Sequence, residues 1–115
     1  MDPRVRQTIN LLYKDLSRNL DVNALAASVN LSPSRLRHLF KDETGLTPAQ
    51  YLKRLRLDRA RELLDESFLR LKEVMPLVGI NDVSHFVRDF KKAHGLPPRR
   101  YRQQARKSGH SHQGQ

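Results

Sequence analysis

The sequence predicts an all-α fold of about seven helices, arranged as two helix-turn-helix subdomains joined by a central linker helix. Apolar residues recur at intervals of three and four along most of the chain, the spacing of one buried helix face. Ser, Asp and Pro stand where such stretches begin, and Gly or Asn where they stop. A block of residues also repeats: Phe40, Lys41, Gly45, Leu46, Pro48 and Tyr51 return as Phe90, Lys91, Gly95, Leu96, Pro98 and Tyr101, each fifty positions on.

The first helix is signalled by Asp2 as N-cap and Pro3 in the first turn, where a missing N–H breaks no bond, with Val5, Ile9, Leu12 and Leu16 on its inner side. Asp21 caps a short helix that turns Leu25, Ala26 and Val29 inward and ends near Asn30, a residue that tolerates left-handed backbone. Ser32 and Pro33 open the next helix, with Leu36, Leu39 and Phe40 inward and Gly45 just past its end. Thr47 and Pro48 start a longer helix to about Leu64, with Tyr51, Leu52, Leu55, Ala60, Leu63 and Leu64 as its buried positions. After a loop around Glu66 and Ser67, residues Leu71 to Val78 read as a short helix stopped by Gly79. Asn81 or Asp82 caps the next, which carries Phe86 and Phe90 and stops at Gly95, and Pro97-Pro98 opens the last through Tyr101.

Each copy of the repeat encodes one physical unit: a core aromatic and a surface Lys in the last turns of a helix, a Gly stop, and a Pro-started helix whose Tyr packs back. Val29 and Val78 sit one residue off the register, which implies a second turn one residue longer than the first. The expected organisation is a first helix-turn-helix subdomain over residues 1–46, a linker helix over 47–65 and a second subdomain over 66–106. From Lys107 the Ser, Gly, His and Gln residues lack an apolar period, so a disordered tail is expected over 107–115.

A chain of 115 residues is too short for two independent cores of ordinary size. It has no Cys, which excludes a disulfide framework and thiolate metal sites and fits a reducing compartment. No apolar run is long enough for a signal peptide or a membrane span, so a soluble protein is expected. The net charge of +10 favours a polyanionic partner through counterion release, but charge alone leaves DNA, RNA, anionic lipid and acidic protein open.

The helix from Ser32 to about Thr44 commits one side to the core and leaves Ser34, Arg37, His38 and Lys41 along the other. An Arg there can bond guanine with two hydrogen bonds, and Ser and His can pair with several base edges. In the second copy Ser84, His85, Arg88, Lys91 and Lys92 face outward, with Val83 near the helix start, where an apolar side chain suits a thymine methyl. Helix amides at Ser32-Pro33-Ser34 and Asp82-Val83 suit phosphates. A single basic helix face is most often only solvated surface; duplication on a strongly basic chain is what favours recognition.

The run from Gly79-Ile80-Asn81-Asp82 through Phe90-Lys91-Lys92 and Gly95-Leu96-Pro97-Pro98 to Tyr101-Arg102 resembles the signature of the AraC/XylS family of bacterial transcription regulators. Leu31 to Leu36, with Phe40, Lys41 and Gly45, resembles the same family's first helix-turn-helix, and the likeness spans roughly Val5 to Arg102. The resemblance implies a domain whose two recognition helices enter successive major-groove segments of double-stranded promoter DNA. It implies base contacts from Ser34, Arg37, His38, Val83, Ser84, His85 and Arg88, and phosphate contacts from Arg35, Lys41, Lys91 and Arg99. It further implies a cytoplasmic bacterial protein that contacts RNA polymerase, activation being the expected outcome, with ligand binding or dimerisation left to a separate domain. Two residues depart from the family pattern. Pro76 stands inside the first helix of the second unit and is expected to kink or shorten it, and Ile80 replaces a larger Phe.

Catalysis finds no support: there is no Cys nucleophile, no glycine-rich phosphate loop and no His-Glu-x-x-His zinc pattern. No metal site and no cofactor are expected; His110 and His112 read as solvated tail residues. The alternative is a basic protein that coats nucleic acid without regard to sequence. Membrane coating is disfavoured because the apolar helix faces are used in the core, and RNA stacking because Phe40, Phe86, Phe90, Tyr51 and Tyr101 occupy core-like positions. The domain is expected to bind an asymmetric site as a monomer, its reading helices about 34 Å apart.

Overall fold

Local capping chemistry sets the helix boundaries. The computed structural model describes the backbone of residues 1–113 and the side chains of residues 1–107. Its described residues form seven α-helices and no strand: α1 (Pro3–Lys14), α2 (Val22–Ser28), α3 (Pro33–Thr44), α4 (Pro48–Glu66), α5 (Leu71–Leu77), α6 (Val83–His94) and α7 (Pro98–Gln113). Carboxylate or hydroxyl oxygens of Asp2, Asp21, Ser32 and Asp82 accept from the amides of Arg4, Ala24, Arg35 and His85 at 2.8–3.1 Å, satisfying donors that the first turn leaves open. Gly45 and Gly95 close α3 and α6 at φ +82° and +89°, in the left-handed region where a side chain is strained.

The chain divides into two compact units, Met1–Leu55 and a second that begins at Arg56. In the first, Val5, Leu12, Phe40, Leu52 and Leu55 form the main core, and Ala26, Val29 and Leu36 a smaller cluster beneath α2. Phe40 and Tyr51 meet edge to face with ring centres 5.3 Å apart, a contact of about 0.5–1.5 kcal/mol beyond the area it buries. Thr8 is fully buried and resolves its polarity by donating to Arg4 O at 2.8 Å.

In the second unit Leu57, Ala60, Leu64, Val74, Met75, Val78, Phe86 and Phe90 form the core. Phe90 and Tyr101 repeat the edge-to-face pair at 5.5 Å. Leu57, Ala60 and Leu64 follow the same spacing as Val5, Thr8 and Leu12, so the later part of α4 does for this unit what α1 does for the first. The repeat therefore extends further back than the sequence block suggested. The turn from the C-cap Val78 to the N-cap Asp82 is one residue longer than that from Val29 to Ser32, as the register offset implies.

Some particulars differ from the sequence expectations or refine them. The central helix serves both cores: Leu52 and Leu55 of α4 lie in the first and Leu57, Ala60 and Leu64 in the second. Leu57, absent from the expected buried set, is only 6% exposed, whereas Tyr51 and Leu63 are half-buried. Pro76 does not shorten its helix, since α5 and α2 each have seven residues. It is exposed, and the closing bonds match: Ile80 N donates to Met75 O as Leu31 N donates to Ala26 O, both at 2.9 Å. Ile80 is half-buried against the core of this unit.

The chain end differs as well. α7 continues to Gln113, past Lys107 where a disordered tail was expected, and residues 114–115 lie outside the described residues. The earlier turns of α7 are anchored by Arg side chains. Arg102 donates from Nε to Leu64 O, from Nη1 to Leu69 O and from Nη2 to Ser67 O, and Arg106 donates to Ser67 O at 2.8 Å. Burial, helped by the neighbouring Arg106, lowers the Arg102 pKa while Asp65 pulls it upward; a guanidinium stays charged regardless.

Candidate nucleic-acid interface

Each unit presents the second helix of its pair with one side sunk in the core. In α3, Leu36 and Phe40 are fully buried, and Ser34, Arg35, Arg37, His38 and Lys41 are exposed. The His38 ring is positioned: its Nδ1 lies 2.8 Å from Ser34 O. A carbonyl accepts only, so Nδ1 carries the proton and Nε2 of the neutral ring is left as an acceptor, suited to an exocyclic base amine.

In α6, Phe86 and Phe90 are buried, and Val83, Ser84, His85, Arg88, Lys91 and Lys92 are exposed. Two of these have neighbours in the free domain. His85 Nδ1 lies 3.7 Å from Asp82 Oδ2, and Arg88 Nε lies 3.6 Å from Asp89 Oδ1. Pairs of this kind at the surface, the second with a half-buried Asp89, are worth about 0–1 kcal/mol, little enough for a nucleic acid to displace. Arg99, in the first turn of α7, is exposed as well. Every side chain named from the sequence as a base or phosphate contact is thus on the surface of its own unit.

The two faces are related but not alike. In the repeat register His38 corresponds to Arg88, and Arg37 to the half-buried Val87. The long cation is displaced by one residue, so the units do not present the same chemistry at the same place.

Three features escaped the sequence reading. His94 is half-buried at the end of α6, where Nε2 donates to Leu57 O at 3.2 Å and lies 3.6 Å from Asp58 Oδ1, with its ring against Phe90. Arg102 takes the register position of the core residue Leu52. Arg70 and Lys72 line a cleft together with Val83 and Arg99. Only the fold brings the starts of α5, α6 and α7 together; the one sequence signal was two cations flanking Leu71.

Two successive helix pairs, each offering an exposed polar and basic second helix, define a tandem helix-turn-helix domain. A family model described as a helix-turn-helix domain matches residues 25–104. The chain is 33% identical over 101 residues to the HTH-type transcriptional regulator GbdR of Pseudomonas aeruginosa, covering 88% of this chain and 28% of that protein. It is 35% identical over 103 residues to the arabinose operon regulatory protein of Escherichia coli, covering 89% and 35%. Among solved structures it is similar to the C-terminal domain of AraT, a response regulator from Geobacillus stearothermophilus, at TM-score 0.81 and 32% identity, covering 90% of this chain and 86% of that one. It is also similar to the DNA-binding domain of AdpA, a global transcriptional factor solved in complex with a target DNA, at TM-score 0.84 and 26% identity, covering 91% and 95%. The chain belongs to the AraC/XylS family of helix-turn-helix transcription regulators. It spans about a third or less of the length of these two regulators.

Proposed function

We propose that this domain binds double-stranded promoter DNA in a sequence-specific manner and thereby regulates transcription, with activation as the expected outcome. The observation that carries the reading is the duplicated exposed face on α3 and α6, on a chain of net charge +10. Base edges are read by Ser34, Arg37 and His38 in one major-groove segment and by Val83, Ser84, His85 and Arg88 in the next. Arg35, Lys41, Lys91 and Arg99 hold phosphates, fixing register without reading sequence. Since Arg37 and Arg88 stand at different register positions, the site is asymmetric and one chain suffices to read it.

The AdpA domain, of the same fold, was solved on its target DNA, which supports a duplex as the partner. RNA polymerase is proposed as a second partner at the promoter, in a bacterial cytoplasm. The proposed role is binding, without catalysis or cofactor; no described helix is long and apolar enough to cross a membrane.

The experiment is selection of bound duplexes from a random pool, followed by a salt titration on the recovered duplex, a scrambled duplex and an RNA. A single non-palindromic motif bound far more tightly than the others is expected. Equal affinity for all three would leave only a sequence-blind coat.

A further inference from the structure

The second unit has a cleft of about 370 Å³ lined by Leu64, Arg70, Leu71, Lys72, Met75, Val83, Pro98, Arg99 and Arg102. Four cations and no carboxylate line it. Among the described residues, no ion pair engages the side chain of Arg70, Lys72 or Arg99, while the nearby Glu73 carboxylate accepts from the backbone N–H of Arg70 at 2.7 Å and stays outside the lining. Arg102 spends its donors on carbonyl oxygens, which leaves its charge as a field source; Asp65, the carboxylate it senses, accepts from Tyr101 at 3.1 Å and is outside the lining. The groove of about 310 Å³ in the first unit, which shares the repeat positions of Leu64 and Arg102 as Leu12 and Leu52, contains Asp15 and Asp21 beside its Lys14 and Arg18. That groove of the first unit thus lacks the carboxylate-free, cationic lining of this cleft.

Its place says which anion. Val83, the first residue of α6, lines it, and so does Arg99 at the start of α7. A duplex that seats its bases on α6 runs its backbone past the start of that helix. We infer that Arg70 and Lys72, with Arg99, form a clamp for a DNA backbone phosphate beside the second recognition helix, a binding site that the Asp15- and Asp21-lined groove of the first unit does not repeat. The clamp rests on the duplex-binding reading above. It anchors the second unit by charge, where α6 itself begins with the carboxylate of Asp82.

The test uses the full chain and the duplex recovered by selection, with affinity measured across salt concentrations for the wild type and for Arg70→Ala/Lys72→Ala. Both side chains are exposed, and circular dichroism checks that the double variant folds. The salt slope should fall by about 0.9 for each phosphate that is no longer neutralised. Affinity should weaken alike for matched and single-mismatch duplexes, leaving the preference intact. Duplexes carrying one neutral methylphosphonate at successive positions should reveal a phosphate whose neutralisation hurts the wild type and not the variant. An unchanged slope with no such phosphate would overturn the clamp and leave the cleft to an acidic protein surface. If the wild type itself showed no sequence preference, the duplex-reading proposal would fail instead, and the two results are distinguishable.

Discussion

Arg102 occupies in the second unit the position that Leu52 fills in the core of the first, and it closes that place with hydrogen bonds to Leu64 O, Ser67 O and Leu69 O. A charged fork holds together there what apolar contact holds in the other copy. Hydrogen bonds to charged groups contribute roughly 1.5–3 kcal/mol each before exposure is discounted. Arg102→Ala should therefore lower unfolding free energy by about 2–3 kcal/mol, read by denaturant titration. Arg102→Lys, which keeps the charge and loses the fork, should recover less than half of that. A loss below about 0.5 kcal/mol for Arg102→Ala would show that the fork adds nothing to stability.

Gly45→Ala and Gly95→Ala should each cost about 1–2 kcal/mol, the penalty of left-handed backbone for a side chain. A Cβ at either site meets no atom within 4 Å, so backbone strain is the whole cost. Gly45→Asn should cost less, as Asn30 already adopts φ 58° in this chain. Thermal melts of the three variants decide the matter, and equal losses for Ala and Asn would contradict it.

Arg37→Ala and Arg88→Ala should each weaken binding of the selected duplex by about 1–3 kcal/mol and relax preference at one base pair. Lys91→Ala should weaken all duplexes alike and reduce the salt slope by about 0.9. An Arg37→Ala variant with unaltered affinity and preference would remove α3 from base reading.

Tyr101 yields a pH prediction. Burial first, then the hydrogen bond to Asp65 and its charge, raise its pKa, so the folded chain holds the phenolic proton more tightly than the unfolded chain. This contribution is complete below the unfolded tyrosine value of about 10 and is lost as pH rises through the higher folded value. Stability should fall more steeply above about pH 10 in the wild type than in Tyr101→Phe, as unfolding curves at stepped alkaline pH will show.

What the sequence revealed is what is decided locally. The caps Asp2, Asp21, Ser32 and Asp82 and the stops Asn30, Gly45, Gly79 and Gly95 act within a few residues, so residue type suffices to place them. The repeat then supplied the architecture and named the exposed residues of α3 and α6. Hidden were features that depend on partners distant along the chain. Leu57 was missed although Ala60 and Leu64 of the same core were expected inside, because it follows Leu55 by two residues, a spacing that no single helix face allows and that arises only where one helix serves two cores. His94 and Arg102 were missed because polar residues count as surface until their acceptors, Leu57 O in one case and the α4–α5 loop in the other, come into view. The Arg70 and Lys72 cleft exists only once three helix starts converge.

The double allegiance of α4 limits how this molecule can be cut. A fragment ended before Arg56 would discard Leu57, Ala60 and Leu64, and one started after Glu66 would deprive Phe86 and Phe90 of the wall they lean on. Anyone transplanting the latter half onto another scaffold must carry the stretch of chain from Arg56 onward. Inheritance by exchange of halves would face the same restriction, for the seam between the copies runs through the middle of a helix.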